Sequence, residues 1–209
     1  IAGQYLTFRF DDVAAKPLVR SYTMSSSPCE PDMCAFTVKR VEKGVISNWL
    51  CDEVKVGSVL RARGPIGKFC YNPQTDKEHL FMVAGGSGVT PFVSIMRQHV
   101  VDPTGGPKRM TLLVSYRTDQ DLICWDALKQ INDHPNGKVI TTLSRQDLTA
   151  SGFWHGRIDD AMIGKAIDGD YANTTFMTCG PEAMMNSLVQ HCINNDVDPA
   201  QVKTESFES

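Results

Sequence analysis

No apolar run in the 209 residues approaches the roughly 18 positions of a membrane-spanning helix, and no basic start leads into a signal-like segment. A spanning protein and a secreted precursor are thereby set aside, and a cytoplasmic location is expected. Positive charge is not in surplus either: 21 Lys and Arg stand against 24 Asp and Glu, a formal net charge of −3. Such a chain has no basic field for a phosphate backbone and no polybasic patch, so nucleic acid and membrane are not expected as partners. The seven cysteines (Cys29, Cys34, Cys51, Cys70, Cys124, Cys179 and Cys192) contain no C-x-x-C pair and no tight cluster. Zinc sites and iron–sulfur clusters need closely spaced thiolates, so neither is expected, and the thiols read as reduced. The five histidines are scattered, without ligand spacing, and no metal site is expected. Repeats and low-complexity tracts are also lacking.

What is there begins with a 42% hydrophobic content, enough for a substantial core. Up to about Tyr71 the signals are strands: "QYLTFRF", then "AFTVKRV" with Phe36, Val38 and Arg40 on one face, then "SVLRARG", with Gly and Pro between them. One helix is expected there, in "VISNWLCDEV", where Ile46, Trp49, Leu50 and Val54 share a face. From Leu80 onward, strand-like "LFMVA", "MTLLVSY", "KVITTL" and "TTFMT" alternate with helix-like stretches near 90–101, 119–131, 158–167 and 181–194. With a last strand in "QVKTES", this alternation predicts a five-stranded parallel sheet with crossover helices. The polar segment "NPQTDKEH" at 72–79 is the expected linker. The reading is a two-domain β + α/β chain divided at 75/76. Because it starts at Ile1 and runs straight into a strand, it is read as a fragment whose antiparallel barrel lacks its first strands.

In "LFMVAGGSGVTP" an apolar strand runs into Gly85, Gly86, Ser87 and Gly88 and stops at Pro91. The usual third glycine of a dinucleotide fingerprint is absent, so the match is partial. Proline fits the first turn of a helix, where its missing amide has no partner, so Pro91 is expected to begin a helix with a buried stripe of Phe92, Ile95, Met96 and Val100. Gly86 and Gly88 are expected to let a phosphate approach the backbone, with Thr90 capping the helix. Read blandly, the same residues are a tight strand-to-helix turn.

Five motifs occur in fixed order: "RSYTMSSSP", "KGVISNWL", "GPIGKF", "GGSGVTP" and "TCGPEAMM". Together they span nearly the whole chain, and their order and spacing resemble the ferredoxin–NADP reductase-like flavoproteins. The nearest pattern is that of reductases serving oxygenases or the hybrid-cluster protein, which often carry a ferredoxin domain after the last strand. The resemblance implies that the antiparallel barrel binds FAD, that the α/β half binds a nicotinamide nucleotide, and that the two rings meet between the halves.

The resemblance also implies roles for residues. Arg20 grips the flavin pyrophosphate, Ser21 and Tyr22 line the same strand with Tyr22 along the ring, and Thr23 offers a hydroxyl to the N5 edge. Gly44 precedes a helix whose first amides, those of Val45, Ile46 and Ser47, form an anion site opposite Arg20. "GPIGKF" closes the flavin site without a catalytic role. Cys179, Gly180 and Pro181 lie against the nicotinamide, and with no histidine placed to activate it Cys179 is not expected to be a nucleophile. Met184, Met185, Leu188, Val189 and Cys192 are more simply a helix core stripe. Glu205 matches a carboxylate near the N5 edge and equally reads as a solvated tail residue. Phe207 resembles an aromatic covering the flavin ring and equally reads as an exposed tail aromatic. Asp121 resembles the acidic ribose-binding position of NADH-using relatives, while Ser144 and Arg145 in "LSR" resemble a phosphate-binding strand end of NADPH-using ones. Arg117 and Arg145 also read as solvated strand-end charges. NADH is expected over NADPH.

The implied activity is transfer of electrons from NAD(P)H through FAD to a one-electron iron–sulfur carrier that feeds an oxygenase or hybrid-cluster-type acceptor. Since no C-x₄-C-x₂-C run occurs in the 209 residues, the carrier is expected after Ser209 or as a separate ferredoxin. A stand-alone reductase of flavin or ferric chelates, and a non-catalytic nucleotide-binding module, remain open.

Overall fold

The computed structural model describes residues 1–30 and 32–207. Its first half is built on β1 (Tyr5–Phe10), β2 (Leu18–Thr23) and β3 (Arg61–Ile66), a barrel-like antiparallel sheet of order β2-β1-β3, with α1 (Val45–Asp52) packed beside it. Alternation decides which face is buried: Phe8 and Phe10 on β1 point to the same side and pack with Ile46 of α1, while Tyr22, Phe36, Trp49 and Leu50 close around them. All six residues of β3 are exposed.

The second half contains β4 (His79–Gly85), α2 (Thr90–Val101), β5 (Arg109–Tyr116), α3 (Trp125–Asn132), β6 (Gly137–Leu143), β7 (Trp154–His155), α4 (Asp160–Ile167), β8 (Thr174–Cys179), α5 (Glu182–Asn194) and β9 (Val202–Glu205). The strands form one parallel sheet of order β7-β6-β5-β4-β8-β9. The sheet has six strands rather than the five expected, because the two-residue β7 pairs at the edge with Thr142 and Leu143. So short a strand carries no periodic signal in sequence.

β4 sits between β5 and β8 and is covered on both faces, which is why it reads as an unbroken apolar run. Leu80, Met82 and Ala84 face Phe92, Ile95 and Met96 of α2 and Leu128 and Ile131 of α3. Phe81 and Val83 face Ile163 and Ile167 of α4 and Leu188 and Cys192 of α5. Ala2 and Phe69 from the first half join the α2 side of this core, so the halves share buried apolar surface.

The segment 35–41 departs from expectation. Its one strand-like contact among the described residues is the bridge from Phe36 to Met24. Side chains anchor it instead: Arg40 grips Asp52 at 2.7 and 2.9 Å and Asn48 at 2.8 Å on α1, and Thr37 meets Ser25 at 3.1 Å. The helix-like stretch near 119–131 is also split. Thr118 and Asp121 close a capping box around a single 3₁₀ turn, and Cys124 at φ 56° restarts the chain as α3.

Among the described residues, no helix is long and apolar enough to cross a membrane.

Candidate functional site

In an open parallel sheet the ligand crevice lies beyond the carboxyl ends of the strands, where neighbouring connections run to opposite faces. Here that point is between β4 and β8, since β4 leads to α2 on one face and β8 to α5 on the other. The two turns leaving these strands touch through their backbones. A Cβ on Gly88 would stand 2.1 Å from the Cys179 carbonyl oxygen and 2.9 Å from the Gly180 nitrogen. Gly180, at φ +147°, has the Gly85 nitrogen 2.9 Å from the place of its own missing Cβ. Pro181 in turn lies against Gly85, its Cδ 2.6 Å from that glycine's Cβ position.

The bare side of Gly88 is filled by the Cys179 turn, so its lack of a side chain serves the close approach of two strand ends. Gly86 is the glycine with an open side: at φ +53°, the nearest atom to its Cβ position is the Nζ of Lys39, 3.6 Å away. Thr90 differs from expectation. Gly86–Val89 form a 3₁₀ turn, the cap position of α2 is Val89, and the Thr90 hydroxyl donates to the Ser87 carbonyl at 3.0 Å. No side chain caps α2, but its start continues from the 3₁₀ turn, with the Thr90 amide donating to the Ser87 carbonyl and Thr90–Val93 buried, so the end left to an anion is that of the glycine turn at Gly86 and Ser87. Pro91 does stand in the first turn, as expected.

Lys39 is a residue that the sequence reading passed over. Setting Phe36, Val38 and Arg40 on one face implies that Thr37 and Lys39 share the other. Thr37 lies 3.5 Å from the Cys124 sulfur and Lys39 reaches Gly86, so that second face is the one turned to the nucleotide half.

The charged strand ends gather nearby. Ser144 and Arg145 donate their amides to the carbonyls of Tyr116 and Arg117, each at 2.9 Å, which places Arg117, Ser144 and Arg145 together beyond β5 and β6. The Asp121 carboxylate is held below its ordinary value first by the Thr118 hydroxyl, with the Thr118 amide and the charges of Arg117 and Lys39 adding to it. One Asp121 oxygen is thus spent on a local turn.

Cys179 and Glu205 are register partners on β8 and β9. The thiol is fully buried, and burial followed by the nearby Glu205 pushes its pKa up, so it stays protonated. Glu205 is pushed up to about 7 by burial, and its Oε2 is enclosed without a hydrogen-bond partner. A carboxyl in this state is partly protonated near neutrality. Because the folded pKa lies above that of the unfolded chain, the protonated form favours folding below about pH 4.5 and that contribution is lost as pH rises through 7. Thermal unfolding of Glu205→Gln across pH is expected to show the variant gaining on the parent between pH 5 and 8; parallel curves would contradict the enclosed, protonated state.

The flavin-side residues form their own group. Tyr22 stacks on Phe36 with ring centroids 5.5 Å apart, and Ser21 shares a 3.0 Å hydroxyl contact with Thr7. Tyr22 is raised above its ordinary pKa by burial, and Arg20 opposes that shift, so guanidinium and phenol are neighbours. Arg20 is exposed, donating to the Val19 carbonyl at 2.7 Å. Thr23 is buried. In the same half, Gly44 is the cap residue of α1 and no side chain closes that end. The Ser47 hydroxyl is used inside the loop, accepting from the Val41 amide at 3.1 Å and donating to the Gly44 carbonyl at 3.4 Å. The helix end itself, with Val45 and Ile46 following Gly44, remains open to an anion. Phe207 follows β9 and is 45% exposed.

Residues 82–190, more than half of the chain, match the family model described as the oxidoreductase NAD-binding domain. The chain belongs to this oxidoreductase family. Residues 1–71 match the oxidoreductase FAD-binding domain, so both an FAD-binding and an NAD(P)-binding unit are present. The uncapped end of α1 and the exposed Arg20 fit an FAD phosphate group, and the glycine turn at Gly86 with Lys39 fits that of a nicotinamide nucleotide. The glycine betaine monooxygenase reductase subunit of Chromohalobacter salexigens is 32% identical over 98% of this chain and 55% of its own length. The ferredoxin reductase component of 3-ketosteroid-9-alpha-monooxygenase from Mycobacterium tuberculosis is 30% identical over 99% of this chain and 54% of its own. The chain thus spans about half the length of the curated relatives it matches. Among solved structures, the Amycolatopsis reductase GcoB superposes with a TM-score of 0.82 at 26% identity, covering 99% of this chain and 60% of that one. A ferredoxin NADP+ reductase from Neisseria gonorrhoeae with bound FAD and NADP, at 19% identity and a TM-score of 0.80, shares the fold.

Proposed function

We propose that this oxidoreductase takes electrons from NADH into FAD and passes them singly to an iron–sulfur carrier that feeds an oxygenase. The observation that carries the reading is the junction of the β4 and β8 turns, with Cys179 and the proton-holding Glu205 side by side at the sheet's ligand edge. The names of the two relatives above, both reductase parts of monooxygenases, support the choice of acceptor. FAD, when bound, supplies the conversion between two-electron and one-electron transfer. The chain's own residues bind, orient and shield: Arg20 and the end of α1 hold one pyrophosphate, and Lys39 with the glycine turn at Gly86 holds the other. Tyr22 and Thr23 line the ring strand, Cys179 leaves room for a second ring, and Glu205 Oε2 holds the proton. Gly180 and Pro181 shape the same turn, and Phe207 covers the ring until the nicotinamide enters. The flavin unit ends near residue 75 and the nucleotide unit follows it.

For nucleotide choice, Asp121 repels a 2′-phosphate while Arg117, Ser144 and Arg145 would receive one; we assign the preference to NADH. Flavin reduction is expected to have a higher kcat/KM with NADH. Asp121→Ala should narrow that difference, and Lys39→Ala should raise KM for both nucleotides about tenfold by removing a charge-assisted contact. A higher kcat/KM with NADPH in the unaltered protein would overturn the assignment. For the acceptor, the chain should reduce ferricyanide with NADH and reduce cytochrome c poorly until a ferredoxin-type carrier is added. Fast cytochrome c reduction without it would point to direct docking at the flavin, and a chain that takes up no flavin would leave a nucleotide-binding module.

A further inference from the structure

The two halves are joined by more than shared apolar surface. The loop that leaves β2 just after Thr23 is clasped by α2, the helix that leaves the glycine turn. Ser94, 1% exposed on α2, donates to the Ser26 carbonyl at 2.7 Å. One turn further along the same face, Arg97 donates to a carboxylate oxygen of Glu30. The other Glu30 oxygen accepts from the Ser27 amide at 2.7 Å. A third tie runs from Ser25 through Thr37 to the sulfur of Cys124 at the start of α3. On its far side the loop is pinned to its own half, since Ala35 accepts from the Ser25 amide at 2.8 Å and donates to the Ser26 hydroxyl at 3.0 Å.

Ser25, Ser26 and Ser27 are each buried, and every contact just described goes to a partner in the protein. The Arg97–Glu30 pair is only partly exposed, at 31% and 27% of the two side chains, and Glu30 is held at both oxygens. That is stiffer than an ordinary surface pair, whose flexible ends contribute little.

We propose that Arg97, with Ser94, is a positioning residue: it holds the Ser25–Glu30 loop, and so the strand ending at Thr23, in a fixed relation to the glycine turn that opens α2. This rests on the reading of the chain as a flavin- and nicotinamide-binding reductase. Arg97 itself touches neither group of binding residues described above. Its role is alignment, and transfer between two rings is sensitive to alignment: a misplacement of about 1 Å can cost on the order of a hundredfold in rate.

The test has two arms. Without any cofactor, amide hydrogen exchange is compared between the unaltered chain, Arg97→Ala and Arg97→Lys, which keeps the cation and leaves Glu30 its bond to the Ser27 amide. Residues 25–30 should exchange faster in Arg97→Ala and regain protection in Arg97→Lys, while β4 and β8 are unchanged. Equal protection in all three proteins overturns the proposal whatever the chain binds. With FAD loaded, NADH-driven flavin reduction is followed at saturating nucleotide. Arg97→Ala should lower the limiting rate about tenfold while the Kd values for FAD and NADH move less than twofold, and Arg97→Lys should recover most of the rate. A normal limiting rate in Arg97→Ala, or a loss explained by weaker FAD or NADH binding, overturns the positioning role. Failure of the unaltered chain to bind flavin or accept electrons from NADH would instead defeat the reductase reading and leave the exchange arm to decide whether the clasp exists.

Discussion

Gly88→Ala is expected to be the most damaging single change in the nucleotide half, with a loss of about 3 kcal/mol or more. The added methyl would meet the carbonyl oxygen and carbon of Cys179 at 2.1 and 2.6 Å and the nitrogen of Gly180 at 2.9 Å. All three are backbone atoms of a turn that is itself held against Gly85, so no flexible side chain can yield. Either the β4 turn or the β8 turn has to move, and both bear on the ligand edge of the sheet. For a chain of this size the midpoint of thermal unfolding should fall by roughly 6 to 12 °C. Gly57→Ala is the matching control: its Cβ position has nothing within 4 Å, so only its φ of +93° is strained, costing about 1 to 2 kcal/mol. Equal unfolding temperatures for Gly88→Ala and the parent protein would show that the two turns do not touch as described.

Arg20→Ala should weaken FAD binding by about 1.5 to 3 kcal/mol, roughly 10- to 150-fold in Kd, read from a fluorescence titration. The guanidinium is exposed and donates to the adjacent Val19 carbonyl, so its removal takes away a ligand contact and little fold stability. The flavin-free variant should therefore unfold at the parent temperature. Arg20→Lys keeps the charge but not the planar fork, and its affinity should fall between the two. Unchanged affinity in Arg20→Ala would remove this residue from the flavin site.

What could be read in the sequence was what depends on neighbours in the chain. The unbroken run of β4 told of a strand covered on both faces, Pro91 told of a helix start, and the stripe Phe92, Ile95 and Met96 told of its buried side. Hidden from the sequence were contacts set by residues far apart. Nothing near Gly88 announces that the Cys179 carbonyl fills its empty side, and nothing near Thr90 shows that a 3₁₀ turn will carry its hydroxyl back to Ser87. The segment 35–41 has strand propensity, yet its bonds to α1, to the serine loop and to Cys124 replace a ladder. Lys39 and Arg97 belong to the same class. Each is an ordinary basic residue until the other half of the molecule is set beside it.

The order β7-β6-β5-β4-β8-β9 has a consequence for how the protein is made. β4 finds β5 soon after it leaves the ribosome, but its other neighbour is β8, whose Cys179 pairs with Ala84 from far down the chain. At about 5 to 20 residues per second, that partner is synthesised some 5 to 20 seconds later. Throughout the interval, the most apolar strand of the nascent protein has one open edge, and the glycine turn lacks the surface against which it is shaped. Chaperone capture, and aggregation where capture fails, should therefore fall in that window, before β8 emerges.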